Sequence, residues 1–330
     1  MLSKVLSSTP SPVFQNGASP DMFFKDPVYA MISILRTHPL IRPTGAKQLV
    51  EFLSRQPQPS TILLVDSLNR FNINAFEVKR FGTSYTPEQD AKCRNKAIER
   101  ADEYWNAIKA EIDNLEDDAA KEKIKLIRWD DIQDSKYEAQ IKIVENHYEK
   151  NPILKEKIDT IAEGFIRLRL PQAKSVSQRL PFMVKYITQE MPILVTGHLW
   201  QGRHHSLMVY PTDGESIANA TDNTAASKED DKPSMRNLIR DVKNSPLFED
   251  LRKDLIEAVG GYTATTGNVT LPLIAPFTME QIEPGMKDRP TVQGKQVGLK
   301  EVIDEKNSFS GTNEAVKEMH LFSRQISAAG

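Results

Sequence analysis

The run Thr61-Ile62-Leu63-Leu64-Val65, bounded by Pro57 and Pro59 on one side and Asp66 on the other, constrains this chain more than any other segment. A short apolar run without polar alternation suits a strand covered on both faces, as in a parallel sheet with a helical layer on each side. Asp66-Ser67-Leu68-Asn69 then stands at the carboxyl end of that strand. Open α/β sheets bind their ligands at such ends.

The flanking pattern agrees. Between Pro87 and Leu115 the apolar residues Ile98, Ala101, Trp105, Ile108, Ile112 and Leu115 recur at helical spacing, with Thr86-Pro87 as cap and first turn. Ile124 to Trp129 reads as a second strand, and Tyr137 to Tyr148 and Ile153 to Leu168 read as helices. Ser175 to Met191 is a further predicted helix that Pro192 should stop, with Ile193 to Val195 and Ser206 to Tyr210 as candidate strands. This alternation predicts an α/β fold, a Rossmann-like parallel sheet flanked by helices. Pro27 to Leu40 and Gly45 to Leu53 read as short helical or irregular pieces, Asn237 to Val259 as a helix or helix pair broken near Pro246, and Gly260 to Gly285 as irregular. The expected organisation is a flexible arm over 1–26 and one α/β catalytic domain over 27–330, with a polar mobile loop at 215–234 and an extension over 235–330.

Charge and cysteine content exclude several roles. With 43 Lys+Arg against 45 Asp+Glu the net charge is −2, so nothing draws the whole chain to DNA or to an anionic membrane, and a nucleic-acid partner would need a local basic patch. Cys93 is alone, which rules out an internal disulfide and suits a reducing compartment. The first fifteen residues lack the apolar core of a secretory signal, and no segment approaches a membrane span, so the expected location is cytoplasmic.

Most familiar motifs are missing. Gly260, Gly261 and Gly267 do not form a dinucleotide turn, and Gly197 to His204 has phosphate-loop spacing with Arg203 and His204 in place of the lysine and hydroxyl residue. His198, His204 and His205 match no common metal spacing and read as a solvated loop. The acceptor-like Asn219 and Asn268 sequons have no route to glycosylation, and there is no Gly-x-Ser-x-Gly elbow. No metal and no cofactor are therefore expected.

Two arrangements carry chemistry. Lys92, Lys96 and Arg100 fall at i, i+4 and i+8 with Arg94 alongside, in the first turns of a helix whose dipole disfavours cations. They form either a solvated face partly paired with Glu88, Glu99 and Glu103 or a stripe that tracks a phosphate backbone. Tyr186 and Glu190 share one helix face, where a carboxylate beside a phenol suits a substrate ammonium. Tyr210, at the end of a candidate strand, is by itself a core or rim aromatic.

In order and separation, the strand ending in Asp66-x-x-Asn69, the basic helix, Tyr186-x-x-x-Glu190-x-Pro192 and the strand ending at Tyr210 resemble the cyclodipeptide synthases over residues 55–212. That resemblance implies a fold similar to the catalytic domains of class I tyrosyl- and tryptophanyl-tRNA synthetases. It also implies an aminoacyltransferase joining two aminoacyl groups from aminoacyl-tRNAs into a diketopiperazine, a natural product of secondary metabolism. The His-x-Gly-His and Lys-Met-Ser-Lys-Ser motifs of those synthetases are absent, and an ester already activated on tRNA needs neither nucleotide nor metal. The family's nucleophilic serine would stand at Asp66, whereas this chain has Ser67 one residue later. The Asp-x-x-Asn form looks like a divergent fungal branch whose products contain arginine.

On that basis Asp66, Ser67, Asn69, Tyr186, Glu190 and Tyr210 are the expected catalytic set, with Asp66 positioning or deprotonating an amine and Glu190 holding the α-ammonium. Lys92, Arg94, Lys96 and Arg100 are expected to hold the tRNA, and Asp130 and Asp131 to meet an arginyl guanidinium. The leading rival is a non-catalytic RNA-binding protein on the same fold. A Ser67 hydrolase or acyltransferase is a weaker reading, because no histidine stands in a triad context.

Overall fold

The computed structural model describes residues 13–15, 20–34, 43–77, 86–171, 175–213, 234–264 and 268–273. The apolar run forms β3 (Ser60–Val65), buried at every position. It is flanked by two parallel neighbours, β2 (Val28–Ser33) and β4 (Ile124–Arg128). On the far side of β2 follow β7 (Leu207–Asp213) and β8 (Asn268–Leu273), both parallel, and β1 (Val13–Gln15) closes that edge antiparallel to β8. The sheet order is β1-β8-β7-β2-β3-β4. The chain thus steps outward from β2 through β3 to β4, then returns to the other side of β2. This reversal is the switch-point topology of Rossmann-like folds, with its binding crevice at the strands' carboxyl ends.

Period-two alternation sorts the helical layers. Ile62 and Leu64 pack with α2 (Pro43–Ser54) and the long helix α4 (Pro87–Asp113) on one face. Leu63 and Val65 share the other face with Tyr29, Met31 and Ile193, the last of these on α8 (Val176–Thr196). Behind α8 a further core joins it to α7 (Pro152–Arg169), α9 (Met235–Asn244) and α10 (Glu249–Ala258). The remaining helices are α1 (Pro20–Lys25), α3 (Arg70–Glu77), α5 (Asp118–Lys123) and α6 (Ser135–Lys150). A two-stranded hairpin, β5 (His198–Trp200) with β6 (Arg203–His205), links α8 to β7. No helix among the described residues is long and apolar enough to cross a membrane.

Several expectations are corrected. Val28 to Ser33, read as helical or irregular, is a central strand, because Val28, Ala30 and Ile32 meet one helical layer while Tyr29 and Met31 meet the other. Within the arm expected to be loose, β1 pairs with β8, and Phe23 is buried with its ring stacked 4.7 Å from Phe52. Inside the expected irregular stretch 260–285, residues 268–273 complete the sheet as β8. Pro192 does not stop its helix, so Ile193 to Val195 is helical rather than a strand, and α8 runs through Pro181 and Pro192 to Gly197. Gly197 is needed there, since a Cβ at its φ of 80° would stand 2.6 Å from the His205 carbonyl oxygen. The loop at 215–234, apart from Ser234, and everything beyond 273 lie outside the described residues.

Candidate active site

The end of β3 is closely wired. Asp66 is fully buried and caps a short 3-10 turn, Ser67–Asn69, by accepting the Ser67 N–H at 2.7 Å. The same oxygen accepts the Trp129 N–H at 3.1 Å, and the other accepts Arg128 Nη1 at 2.9 Å. Arg128 also reaches Asp102 at 2.6 Å and lies over the Trp105 ring. Burial works against its charge, but the hydrogen bonds to Asp102 and Asp66 outweigh this and raise its pKa. The expected role of Asp66 as an amine base is therefore not what this geometry offers. Its carboxylate is spent on joining the ends of β3 and β4, with its charge matched internally.

Its neighbours are committed in the same way. Ser67 has no accessible surface, and its hydroxyl donates to Asp130 Oδ1 at 2.6 Å. Asp130 is further held by Gln133 at 3.0 Å and by an ion pair with Arg94. The Asn69 amide donates to the Val65 carbonyl, and its oxygen accepts from Asn72 at 2.7 Å. Asp131 accepts the Arg128 N–H at 2.8 Å. Asp130 is thus occupied by this chain's own donors instead of standing ready for a substrate guanidinium, while Asp131 is exposed with one oxygen bonded, and Arg94 pairs with Asp130 with its side chain partly exposed.

Helix α8 presents a different situation. Tyr186 and Glu190, one turn apart, face each other with Tyr186 Oη 3.3 Å from Glu190 Oε1. Tyr186 is the only partner that Glu190 has among the described residues. Burial raises Glu190 to about 7, against the lowering effect of the Tyr186 hydrogen bond. Burial, reinforced by the Glu190 charge and only partly opposed by that of Arg169, also pushes the Tyr186 phenol well above its ordinary value, so the phenol keeps its proton. Tyr210 lies close enough for its charge to act on Tyr186, and Met208, which packs on the α8 side of the sheet, shares its strand parity. Both α8 groups retain partial exposure to solvent.

Sequence reasoning missed Tyr137, whose charge would act on Glu190. Its hydroxyl donates to the Gln189 carbonyl at 2.8 Å, and its ring meets Trp129 edge to face at 5.9 Å. Its local signal, an aromatic just inside a capped helix, marks core and gives no hint of the site. Arg128 was missed for a similar reason, as an ordinary residue at the end of an apolar strand.

On α4, Cys93, Ala97, Ala101 and Tyr104 face the core, which leaves Lys92 and Lys96 exposed and Arg100 half-buried. Glu99 follows Lys92 by two turns and Glu103 follows Lys96 likewise, so the outer face is mixed in sign. The histidines expected in a solvated loop are instead packed in the β5–β6 hairpin. His198 and His205 are buried and held down to about 3 and about 4, chiefly by that burial. His205 Nε2 is bonded to Thr61 Oγ1 at 3.0 Å, and His204 stacks on Tyr262 at 4.8 Å. Among the described residues no group of three or more histidine, cysteine or acidic side chains is placed to hold a metal ion.

No protein-family model and no curated protein matches this chain. Solved structures do. A cyclodipeptide synthase from Fluoribacter dumoffii is 15% identical with a TM-score of 0.53, over 79% of this chain and 96% of that one. A cyclodipeptide synthase from Bacillus thermoamylovorans is 12% identical with a TM-score of 0.49, over 77% of this chain and 93% of that one. A Mycobacterium tuberculosis protein, described as showing that cyclodipeptide synthetases are related to type I tRNA-synthetases, is 10% identical with a TM-score of 0.47, over 76% and 88%. At 15% identity the likeness to the first of these is one of fold, and it agrees with the Rossmann-like order of the strands.

Proposed function

We propose that the chain is a cyclodipeptide synthase that joins two aminoacyl groups carried by tRNA. The observation that carries this reading is Glu190, a desolvated carboxyl whose only described partner is a neutral phenol. A group in that state costs stability unless a cation arrives, and the α-ammonium of an aminoacyl ester is a cation of suitable size. The Rossmann-like fold and the Tyr186, Glu190 and Tyr210 grouping on one side of the sheet support it.

In this mechanism Glu190 pairs with the α-ammonium and, with its affinity for protons near neutrality, takes one to free the amine. The amine attacks the ester carbonyl of the second aminoacyl-tRNA: a C–N bond forms, the C–O bond to the ribose breaks, and the proton passes to the departing ribose oxygen. The dipeptide, still esterified to the first tRNA, then closes by the same exchange, which releases that tRNA. Tyr186 keeps its proton and can donate to the developing oxyanion. Ser67 carries no acyl group in this route, being enclosed and bonded to Asp130. Lys92 and Lys96 supply the outward cations for the tRNA backbone, with Arg100 at the edge. That one residue of the product is arginine rests on the Asp66-x-x-Asn69 form alone.

The test is to incubate the purified chain with bulk aminoacyl-tRNA and look for diketopiperazines by mass spectrometry. A cyclic dipeptide that disappears when the tRNA is first hydrolysed is the expected result. The rival, an RNA-binding protein without catalysis, draws on the wired state of Asp66 where the family has its serine. Retained tRNA binding with no product at any enzyme concentration would select it.

A further inference from the structure

Glu190 sits on a stretch of helix that lacks one of its own backbone bonds. Pro192 has no N–H to give the Thr188 carbonyl, and a proline ring crowds the turn before it. The carbonyls on either side recruit tyrosines from elsewhere in the fold. Gln189 O, one residue before Glu190, accepts Tyr137 Oη from α6 at 2.8 Å, and Ile193 O accepts Tyr29 Oη from β2 at 3.3 Å. The two bonds are not equivalent, because the Tyr137 bond is the shorter one and falls on the residue next to Glu190.

Tyr137 is itself held firmly. The Asp134 carboxylate caps the first turn of α6 by accepting the Tyr137 N–H at 2.8 Å. The Tyr137 ring stands edge to face on Trp129, whose backbone N–H is held by Asp66. A continuous chain of contacts therefore runs from the wired end of β3, through Trp129 and Tyr137, to the backbone beside Glu190.

We propose that Tyr137 is a positioning residue, which through its bond to the Gln189 carbonyl fixes where the Glu190 carboxylate meets the substrate ammonium. This rests on the reading of Glu190 given above. In this role the Tyr137 hydroxyl is engaged by the backbone, so its loss should act through Glu190.

The test measures affinity of the full chain for bulk aminoacyl-tRNA and for the same tRNA N-acetylated, which lacks the ammonium, together with melting temperature. Tyr137→Phe keeps the ring and removes the hydroxyl. It should weaken aminoacyl-tRNA binding about tenfold, leave N-acetylated tRNA binding unchanged, and move the melting point by only a few degrees. In a Glu190→Gln background the same substitution should change affinity less than about twofold, because interacting residues do not add. Tyr29→Phe, whose bond is longer at 3.3 Å and falls three residues beyond Glu190, should cost less than about twofold in either background. Equal losses with and without Glu190, no loss at all, or a Tyr137→Phe protein that fails to fold would each overturn the proposal and leave Tyr137 a core residue. If Glu190→Gln alone leaves affinity for aminoacyl-tRNA unchanged, the reading of Glu190 itself fails, a result separable from the others.

Discussion

The end of β3 carries a buried acid and the middle of α8 a half-buried one, yet they are opposites. Asp66 receives three donors, one of them the Arg128 guanidinium, so its charge is fully used by the fold. Glu190 receives one phenol and no cation from the described residues. The first arrangement stabilises the sheet's working edge, and the second leaves an unfilled demand. A desolvated carboxylate marks a candidate site when the protein itself does not satisfy it.

The sharpest way to break this contrast is to remove the cation from the wired end. Arg128→Ala leaves Asp66 buried without its partner and should cost about 3–5 kcal/mol of stability, read from chemical denaturation. A loss below about 1 kcal/mol would mean that Asp66 is no better provided for than Glu190.

At Glu190 the sign should reverse. Its carboxyl binds a proton more tightly in the folded chain, at about 7 against an ordinary 4.5, so folding is penalised as pH rises through that window. The penalty is absent below the ordinary value and complete above 7. Glu190→Gln should therefore stabilise the free protein at pH 8 by about 2–3 kcal/mol while abolishing product, and the gain should vanish near pH 4. Destabilisation at pH 8 would show that the carboxylate is already satisfied.

Smaller effects sharpen the picture. Ser67→Ala removes one hydrogen bond to Asp130 and should cost about 1 kcal/mol while product formation continues. Complete loss of product would restore a serine ester to the pathway. Reversing Lys92 and Lys96 to Glu should weaken tRNA binding and flatten its salt dependence, by about one ion for each phosphate no longer neutralised. An unchanged salt slope would make that face of α4 merely solvated.

The two regions also differ in how far the sequence exposed them. The Thr61 to Val65 run and the Tyr186 to Glu190 spacing are local patterns, and local periodicity places them on a central strand and on one helix face. What Asp66 does depends on Arg128 and Trp129, distant along the chain and brought adjacent only by β3–β4 pairing. No spacing rule carries that information. Pro192 misled for a related reason: a proline usually ends a helix, but burial of Met191, Ile193 and Val195, with tyrosine hydroxyls from α6 and β2, carries α8 past it. Val28 to Ser33 was misread because an apolar run of that length suits a buried helix segment as well as a strand, and only the sheet decides.

Whether Glu190 grips a substrate ammonium is tested most directly by comparing three ligands: bulk aminoacyl-tRNA, the same tRNA deacylated, and the same tRNA N-acetylated. Wild-type protein should bind the first more tightly than the other two, and Glu190→Gln should bind all three alike. Equal wild-type affinity for the free and N-acetylated forms, or discrimination that survives in Glu190→Gln, would contradict the assignment of this carboxylate.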